Sequence, residues 1–420
     1  MNRAYFALDH EKNSGFNAVM PFPTTRASAV DRLNNFVPRA GTGYAKRRNF
    51  DHGAGRHKDV SCLSPFIRRR VITETDVIKS VLDHHSLKEA EKFVQEVFWR
   101  TYWKGWLEMR PSVWAEYQAQ LGGLCNQIAT QSGLRQQWEA ACLGRTGLEC
   151  FDAWAQELVD TGYLHNHARM WFASIWIFTL RLPWQLGADF FLRHLLDGDP
   201  ASNTLSWRWV AGLQTAGKTY LARPDNIAKY TDGRFFQSGL ATTAQPRTET
   251  ATHPRLPAPQ RQNYDKAAPT FVLLHEDDMD LSPLLGSFEN IVGAARVNCL
   301  EGLTPFEVSP ALTEFVGRLS EDTDQTCFER IGTIHQTAST EDIILKALDS
   351  AATQIASPYA SVGPASDLIE AVKHKAHQHG ITVVPVLSEY DQLCWPKATH
   401  GFFRFKDNIP QFLRQLNMLS

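Results

Sequence analysis

Apolar residues recur at three- and four-residue spacing from Thr73 to about Trp209, with few alternating β-branched runs between them. The segments Glu89–Trp106, Leu148–Leu158 and Arg169–Leu180 show the spacing most clearly. That period lays apolar side chains along one face of a helix, so the region is predicted to be mostly α-helical. The pattern changes at Gln237. A Thr/Pro/Ala/Gln-rich stretch runs to about Pro269 and lacks the apolar residues a core needs, so it reads as an exposed linker. Beyond it, Thr270–His275 and Ile381–Val386 are short apolar runs of strand length, and Gly380 ends a helical pattern over Asp367–His379. Strands alternating with helices predict a small α/β unit with a largely parallel sheet. The expected organisation is a helical domain over 1–236, a linker over 237–268 and an α/β domain over 269–420.

Composition adds limits. At 420 residues, with 43% hydrophobic and 21% charged residues, the chain has the make-up of a soluble globular protein with room for sizeable cores. Charges break every long apolar run, and the first ten residues hold no apolar signal core, so neither a membrane span nor a secretory signal is expected. Seven cysteines without a CxxC pair argue for reduced thiols in a cytoplasm and against zinc or iron–sulfur sites. Charge is uneven: residues 1–268 hold 33 Lys and Arg against 25 Asp and Glu, whereas residues 269–420 hold 10 against 20. A basic first part suits contact with a polyanion, although an unevenly charged surface is an equally good reading. Eleven of the twelve tryptophans lie between Trp99 and Trp209.

Candidate chemistry concentrates in that tryptophan-rich stretch. Asp197-Gly-Asp-Pro-Ala-Ser-Asn203-Thr-Leu-Ser-Trp207-Arg-Trp209 combines two carboxylates, an amide and two indoles. About one helix upstream, Asn166, Arg169 and Met170 share a helix face by their spacing, and a buried Arg169 needs Asp197 or Asp199 as partner. Glu96, Trp99 and Arg100 also share a face, where the plainer reading is a surface Glu–Arg pair beside a core indole. Ser61, Leu63, Ser64 and Pro65 precede a helix; Ser64 can cap it, or the hydroxyls can hold a phosphate. Gly144-Arg-Thr-Gly147 reads as a turn before a helix. His165 and His167 lack a partner at metal-ligand spacing, and His374, His377 and His379 suit the end of a helix, so no metal is expected. There is no GxGxxG, P-loop or GxSxG motif.

In this order the motifs resemble the flavin-binding helical domain of the photolyase/cryptochrome family, from about Tyr44 to Tyr230. They are Ser61-x-Leu63-Ser64-Pro65, Glu96-x-x-Trp99-Arg100, Gly144-x-Thr146-Gly147, Gly162 to Met170, Asp197-Gly-Asp199-x-Ala201-x-Asn203, and Trp207-x-Trp209. The resemblance implies FAD as cofactor, with Ser61, Leu63 and Ser64 near its diphosphate. It also implies an Arg169–Asp197 ion pair beside the isoalloxazine, Asp199 on the flavin side and Asn203 opposite N5. Tyr44, Trp99, Arg100 and Asn166 complete the implied cofactor set. Glu96, Trp99, Asn166, Met170 and Trp209 match positions that cradle a cyclobutane pyrimidine dimer, with His167 where repair enzymes usually carry Arg. Asn166 and Met170 favour the cyclobutane lesion, because (6-4) repair enzymes carry His at both positions. Trp207 and Trp184 match the inner members of a tryptophan relay to the flavin, with Trp138, Trp171 and Trp176 as candidates for a third. Thr101 stands where many relatives have Glu.

Domain order departs from the family, whose α/β antenna domain precedes the flavin domain. Here the α/β unit follows, and Gly401-Phe-Phe-Arg-Phe-Lys-Asp-Asn-Ile-Pro resembles the segment that ends the usual antenna domain. A second, light-harvesting chromophore is therefore compatible with the chain. The implied activity is a carbon–carbon lyase reaction, the light-driven repair of DNA carrying pyrimidine dimers. The alternatives are a cryptochrome-type blue-light receptor signalling through a protein partner, and a nucleic-acid-binding relative without photochemistry.

Overall fold

Helix boundaries follow capping chemistry in the computed structural model, which describes residues 22–419. The first 21 residues of the expected helical domain, and Ser420, lie outside the described residues. Helices α1 (Arg26–Phe36) and α2 (Ser64–Arg68) precede two that begin on capping boxes. In α3 (Glu74–Leu82) Thr73 and Asp76 satisfy each other's backbone N–H groups, and Ser86 and Glu89 do the same for α4 (Leu87–Glu108). Then follow α5 (Ser112–Thr130), α6 (Ser132–Cys142) and α7 (Glu149–Thr161), which ends on Gly162 at φ 65°. Only glycine takes that left-handed turn without strain. Helix α8 (Asn166–Ser174) runs on into a π turn over Ile175–Thr179. Helices α9 (Trp184–His194) and α10 (Pro200–Ala211) follow, and a short helix over Pro224–Tyr230 ends the helical part.

The linker stretch forms no helix or strand, in line with its composition, but it is not free. Arg247 N–H donates to Ala211 O, Leu256 N–H to Met109 O, and Arg208 pairs with Glu249 at 2.7 Å, so the segment straps the helical body.

The second part builds a five-stranded parallel sheet in the order β3-β2-β1-β4-β5. Its strands are β1 (Thr270–His275), β2 (Ile291–Val297), β3 (Ile334–Thr337), β4 (Gln354–Pro358) and β5 (Thr382–Val386). Register runs through Leu273↔Ala295, Val272↔Ala356 and Ile355↔Val383. Helix α11 (Pro310–Ile331) joins β2 to β3, α12 (Thr340–Asp349) joins β3 to β4, and α13 (Pro364–Gln378) joins β4 to β5. Every residue of β1 and β4 is buried, as expected for central strands covered on both faces. Ile343, Ala347, Ile369 and Val372 cover one face, and Leu281, Leu284, Cys327 and Ile331 the other.

The largest core is not confined to the helical part. It continues through Phe306, Phe315 and Leu319 to Tyr390 and to α14 (Phe402–Lys406), with Phe405, Phe412 and Leu413. Phe315 packs on Phe66 with centroids 6.0 Å apart, and Phe405 and Phe412 pack on Phe98 at 6.3 and 6.0 Å. The described cysteines are all free thiols, and no described helix is long and apolar enough to cross a membrane.

Candidate functional site

The loop between α9 and α10 gathers the charged candidates. Asp199 caps α10, its Oδ1 accepting from Ala201 N at 2.8 Å and Ser202 N at 3.2 Å. Its Oδ2 pairs with Arg100 Nη1 at 2.9 Å. Asp197 Oδ2 pairs with Arg169 Nη2 at 2.9 Å, and Arg169 Nε donates to Leu164 O, also at 2.9 Å. Burial alone would raise both carboxyls. The Arg169 guanidinium overcomes this for Asp197, and Arg68, Arg100 and Lys104 overcome it for Asp199, so both lie below the usual carboxylate range. Of the two partners open to Arg169 from the sequence, the fold selects Asp197 and gives Asp199 to Arg100.

The expected Glu96–Arg100 surface pair does not form. Arg100 turns inward to Asp199, and Glu96 pairs with Arg48, beside the buried Tyr44. Burial raises the Glu96 carboxyl above its usual range despite the pull of Arg48. Arg48 ends the run Lys46-Arg47-Arg48, which the sequence marks only as charge. Ser64 is the first residue of α2 and Leu63 its N-cap, without a side-chain capping bond, so the capping role expected for Ser64 is not observed. Ser61 Oγ instead accepts from Leu63 N at 3.4 Å, and the Ser64 hydroxyl helps to lower the Asp197 carboxyl.

The pocket candidates sit on the three helices that carry or border the charged pairs. Glu96 and Trp99 on α4, Asn166 and Met170 on α8, and Trp209 on α10 all keep some exposure, whereas most of their neighbours are buried. Trp99 stacks on Phe402 of α14 with centroids 3.6 Å apart and planes 12° off parallel. Trp209 stacks on Tyr220 at 5.8 Å. The ring nitrogens of His167 meet Asn49 O at 3.0 Å and Tyr220 Oη at 3.3 Å, and the ring lies on Trp171 at 4.0 Å. Thr101 faces the second part, its hydroxyl 2.7 Å from Tyr390 Oη. Nothing in the sequence pairs Phe402 or Tyr220 with these indoles, because only long-range packing brings them there.

Asn203 Nδ2 donates to Ala188 O at 2.8 Å, which orients the amide and leaves Oδ1 as the end able to accept from a ligand. Trp207 is 2% exposed and contacts Trp176 edge-on at 6.2 Å. Trp184 lies against Tyr117 at 5.6 Å, and Tyr117 against Trp114 at 5.2 Å. Among the three candidates for a further relay member, Trp138 packs on Phe306 and Trp171 on Trp154, and Trp176 is the one whose ring meets Trp207. Tyr117 and Trp114 do not stand out in the sequence.

Around the same loop, Asp197 Oδ1, Thr204 Oγ1 and Trp207 Nε1 are buried without a hydrogen-bond partner among the described residues. Two acceptors or hydroxyls and an indole donor, with Asn203 Oδ1 nearby in sequence, fit the mixed C=O and N–H edge of an isoalloxazine. Elsewhere Asp51, His57 and Glu157 bring one ligand atom each within 4.8 Å of one another. Asp51 already accepts from Gly53 N, Trp154 Nε1 and Arg234, and His57 Nε2 meets Glu157 at 3.0 Å, so both carboxylates have partners within the fold.

A helical body with a carboxylate–guanidinium loop, orphaned polar atoms and lining indoles has the mixed polar and aromatic lining that a flavin needs. Residues 93–265 match the family described as the FAD binding domain of DNA photolyase. The deoxyribodipyrimidine photo-lyase of Alkalihalophilus pseudofirmus is 29% identical over 204 residues, 46% of this chain and 39% of that one. The enzyme of the same name from Synechococcus sp. is 30% identical over 211 residues, 48% of this chain and 42% of its own. The chain thus spans less than half the length of these relatives. The solved structure of a class III photolyase from Agrobacterium tumefaciens aligns over 50% of this chain and 43% of its own, at 26% identity and a TM-score of 0.42. Over residues 93–265 the chain is therefore similar to the FAD-binding domain of DNA photolyases, which makes FAD the cofactor of the helical part.

Proposed function

We propose that the protein repairs cyclobutane pyrimidine dimers in DNA, using light absorbed by bound, reduced FAD. What carries this reading is that α4 and α8 each hold pocket residues next to an arginine that pairs with a flavin-loop carboxylate. Trp99 adjoins Arg100, and Asn166 and Met170 flank Arg169. A base entering between Trp99, Met170 and Trp209 would therefore lie close to the flavin. When bound, reduced FAD supplies the electron that splits the cyclobutane ring and recovers it afterwards. The chain's own residues orient and shelter. Trp99 and Trp209 offer faces on which a flipped dimer stacks. Glu96, with its carboxyl raised by burial, is suited to hydrogen-bond the base edge. Arg169 and Arg100 hold Asp197 and Asp199 ionised at the loop, and the Asn203 amide would serve flavin N5 without itself ionising. The excess of basic residues over 1–268 supports phosphate contacts that weaken as salt rises.

The test illuminates reduced, FAD-loaded protein with oligonucleotides carrying a dimer, duplex and single-stranded, and follows loss of the lesion. Wild type should clear the lesion. Glu96→Gln should lower the yield per absorbed photon with little change in DNA affinity, because phosphate contacts dominate that affinity. Dimers left intact by wild type in both substrates would sink the repair reading in favour of blue-light sensing.

A further inference from the structure

Arg68, the last residue of α2, stands between the flavin loop and the sheet. Its Nε donates to Gly198 O at 2.8 Å, and its Nη2 pairs with Asp277 Oδ1 at 2.7 Å. The side chain is 2% exposed. Gly198 lies between Asp197, held by Arg169, and Asp199, held by Arg100. The end of this five-residue helix therefore holds the middle of the flavin loop.

Asp277 lies two residues past β1, at the carboxyl end of the central strand. The two following arginines reinforce the contact. Arg69, wholly buried, lies 3.5 Å from Asp277, and Arg70 pairs with Asp278 at 2.8 Å and Asp391 at 2.7 Å. The loop has little room to drift. A β-carbon at Gly198 would sit 3.1 Å from both Leu192 O and Leu195 O, and one at Gly363, past β4, would sit 2.9 Å from Pro200 Cγ. A guanidinium can fix a peptide oxygen on one edge and a carboxylate on another in a single plane, which an ammonium cannot reproduce. Buried, its place is set by the charge that compensates it.

We infer that Arg68 is a positioning residue of the flavin site and that Asp277 is its anchor, so the α/β part governs where the two flavin-loop carboxylates stand. The inference rests on FAD binding and not on repair, and it carries the site beyond the residues that match the family.

Full-length Arg68→Lys and Asp277→Asn, prepared as apoprotein, are titrated with FAD, and the midpoint potential of the bound flavin is measured by dye equilibration. Lysine keeps a cation beside Asp277 but loses the Nε–H bond to Gly198 O; asparagine keeps an acceptor but loses the charge. Both should weaken FAD binding about tenfold and shift the potential in the same direction, although Asp277 belongs to the other part of the chain. A contact that merely joins the two parts would lower the melting temperature and leave affinity and potential of the folded protein as in wild type, and that result would overturn the inference. Wild type provides a check that needs no variant. Met279 N–H donates to Arg69 O at 2.8 Å. Adding FAD should therefore slow amide exchange over residues 276–280, and unchanged exchange there would equally overturn it.

Discussion

Glu96 and Arg100 are four residues apart on one helix, yet they serve different partners. Arg100 goes to Asp199, whose carboxylate is 3% exposed and needs a cation, while Glu96 finds Arg48 from a distant segment. The benefit of an exposed i,i+4 pair, about 0.3–0.5 kcal/mol, is far smaller than the cost of a buried unpaired carboxylate. At the same scale, the indoles divide by contact. Trp207→Phe is expected to abolish photoreduction of oxidised FAD, read as bleaching of the flavin band under blue light. Trp184→Phe should slow it, and so should Tyr117→Phe, because Tyr117 is the aromatic neighbour of Trp184. Repair by chemically reduced protein should survive all three. Normal photoreduction in Trp207→Phe and Trp184→Phe would remove these indoles from the electron path.

Helix α9 shows how an element shapes the site through what it lacks. Gly187 faces Trp207, and a β-carbon there would lie 2.3 Å from Cη2 of Trp207 and 2.9 Å from Cε2 of Trp176. Both indoles are buried in a packed core and cannot withdraw as surface side chains do. Gly187→Ala gains helix propensity but overpacks this contact, so a net loss of about 1–3 kcal/mol is expected in urea unfolding. The same substitution should alter the photoreduction rate by displacing Trp207. A variant as stable as wild type, with unchanged photoreduction, would show that the helix can shift at no cost.

Across the whole molecule, the two parts meet through buried groups whose charge depends on pH. Glu108, at the end of α4, accepts from Tyr359 Oη at 2.7 Å and Val362 N at 2.6 Å. Burial nonetheless pushes its carboxyl from 4.5 up to about 7. The folded state therefore prefers the protonated form. The resulting stability is complete below pH 4.5 and is lost as pH rises to about 7, with a total loss of about 3 kcal/mol. Thermal melts at pH 5 and 8 should show this loss in wild type and a smaller one in Glu108→Gln; equal losses would exclude Glu108 as its source. Removing the second part should be more damaging. A chain ending at Phe236 would strip Phe315 from Phe66, Phe412 from Phe98, Phe306 from Trp138 and Phe402 from Trp99. At about 1.5–3 kcal/mol for each large side chain uncovered, the sum rivals the whole stability of a domain. That chain is expected to aggregate or remain unfolded; a soluble, yellow, flavin-loaded product would refute the expectation.

Local pattern and ordered motifs carried much of the fold. The 3.6-residue period over Thr73–Trp209, the buried runs at Thr270–His275 and Ile381–Val386, and the FAD-binding family were all legible, because they depend on neighbours in sequence. The Asp197–Arg169 pair was legible as one of two choices, since burial demands a partner but does not select it. Of the two roles open to Ser64, the cap does not form, because serine at the first helical position looks the same in sequence as serine one residue earlier. Arg48 opposite Glu96, Tyr117 beside Trp184, Phe402 on Trp99 and Arg68 between Gly198 and Asp277 were invisible. Their partners lie 48, 67, 303 and 130 or 209 residues away in the chain. Spacing along one helix or strand says which side chains share a face. Which distant face that one meets is decided by the packing of the whole molecule, where burial of apolar surface and compensation of buried charge must be satisfied together.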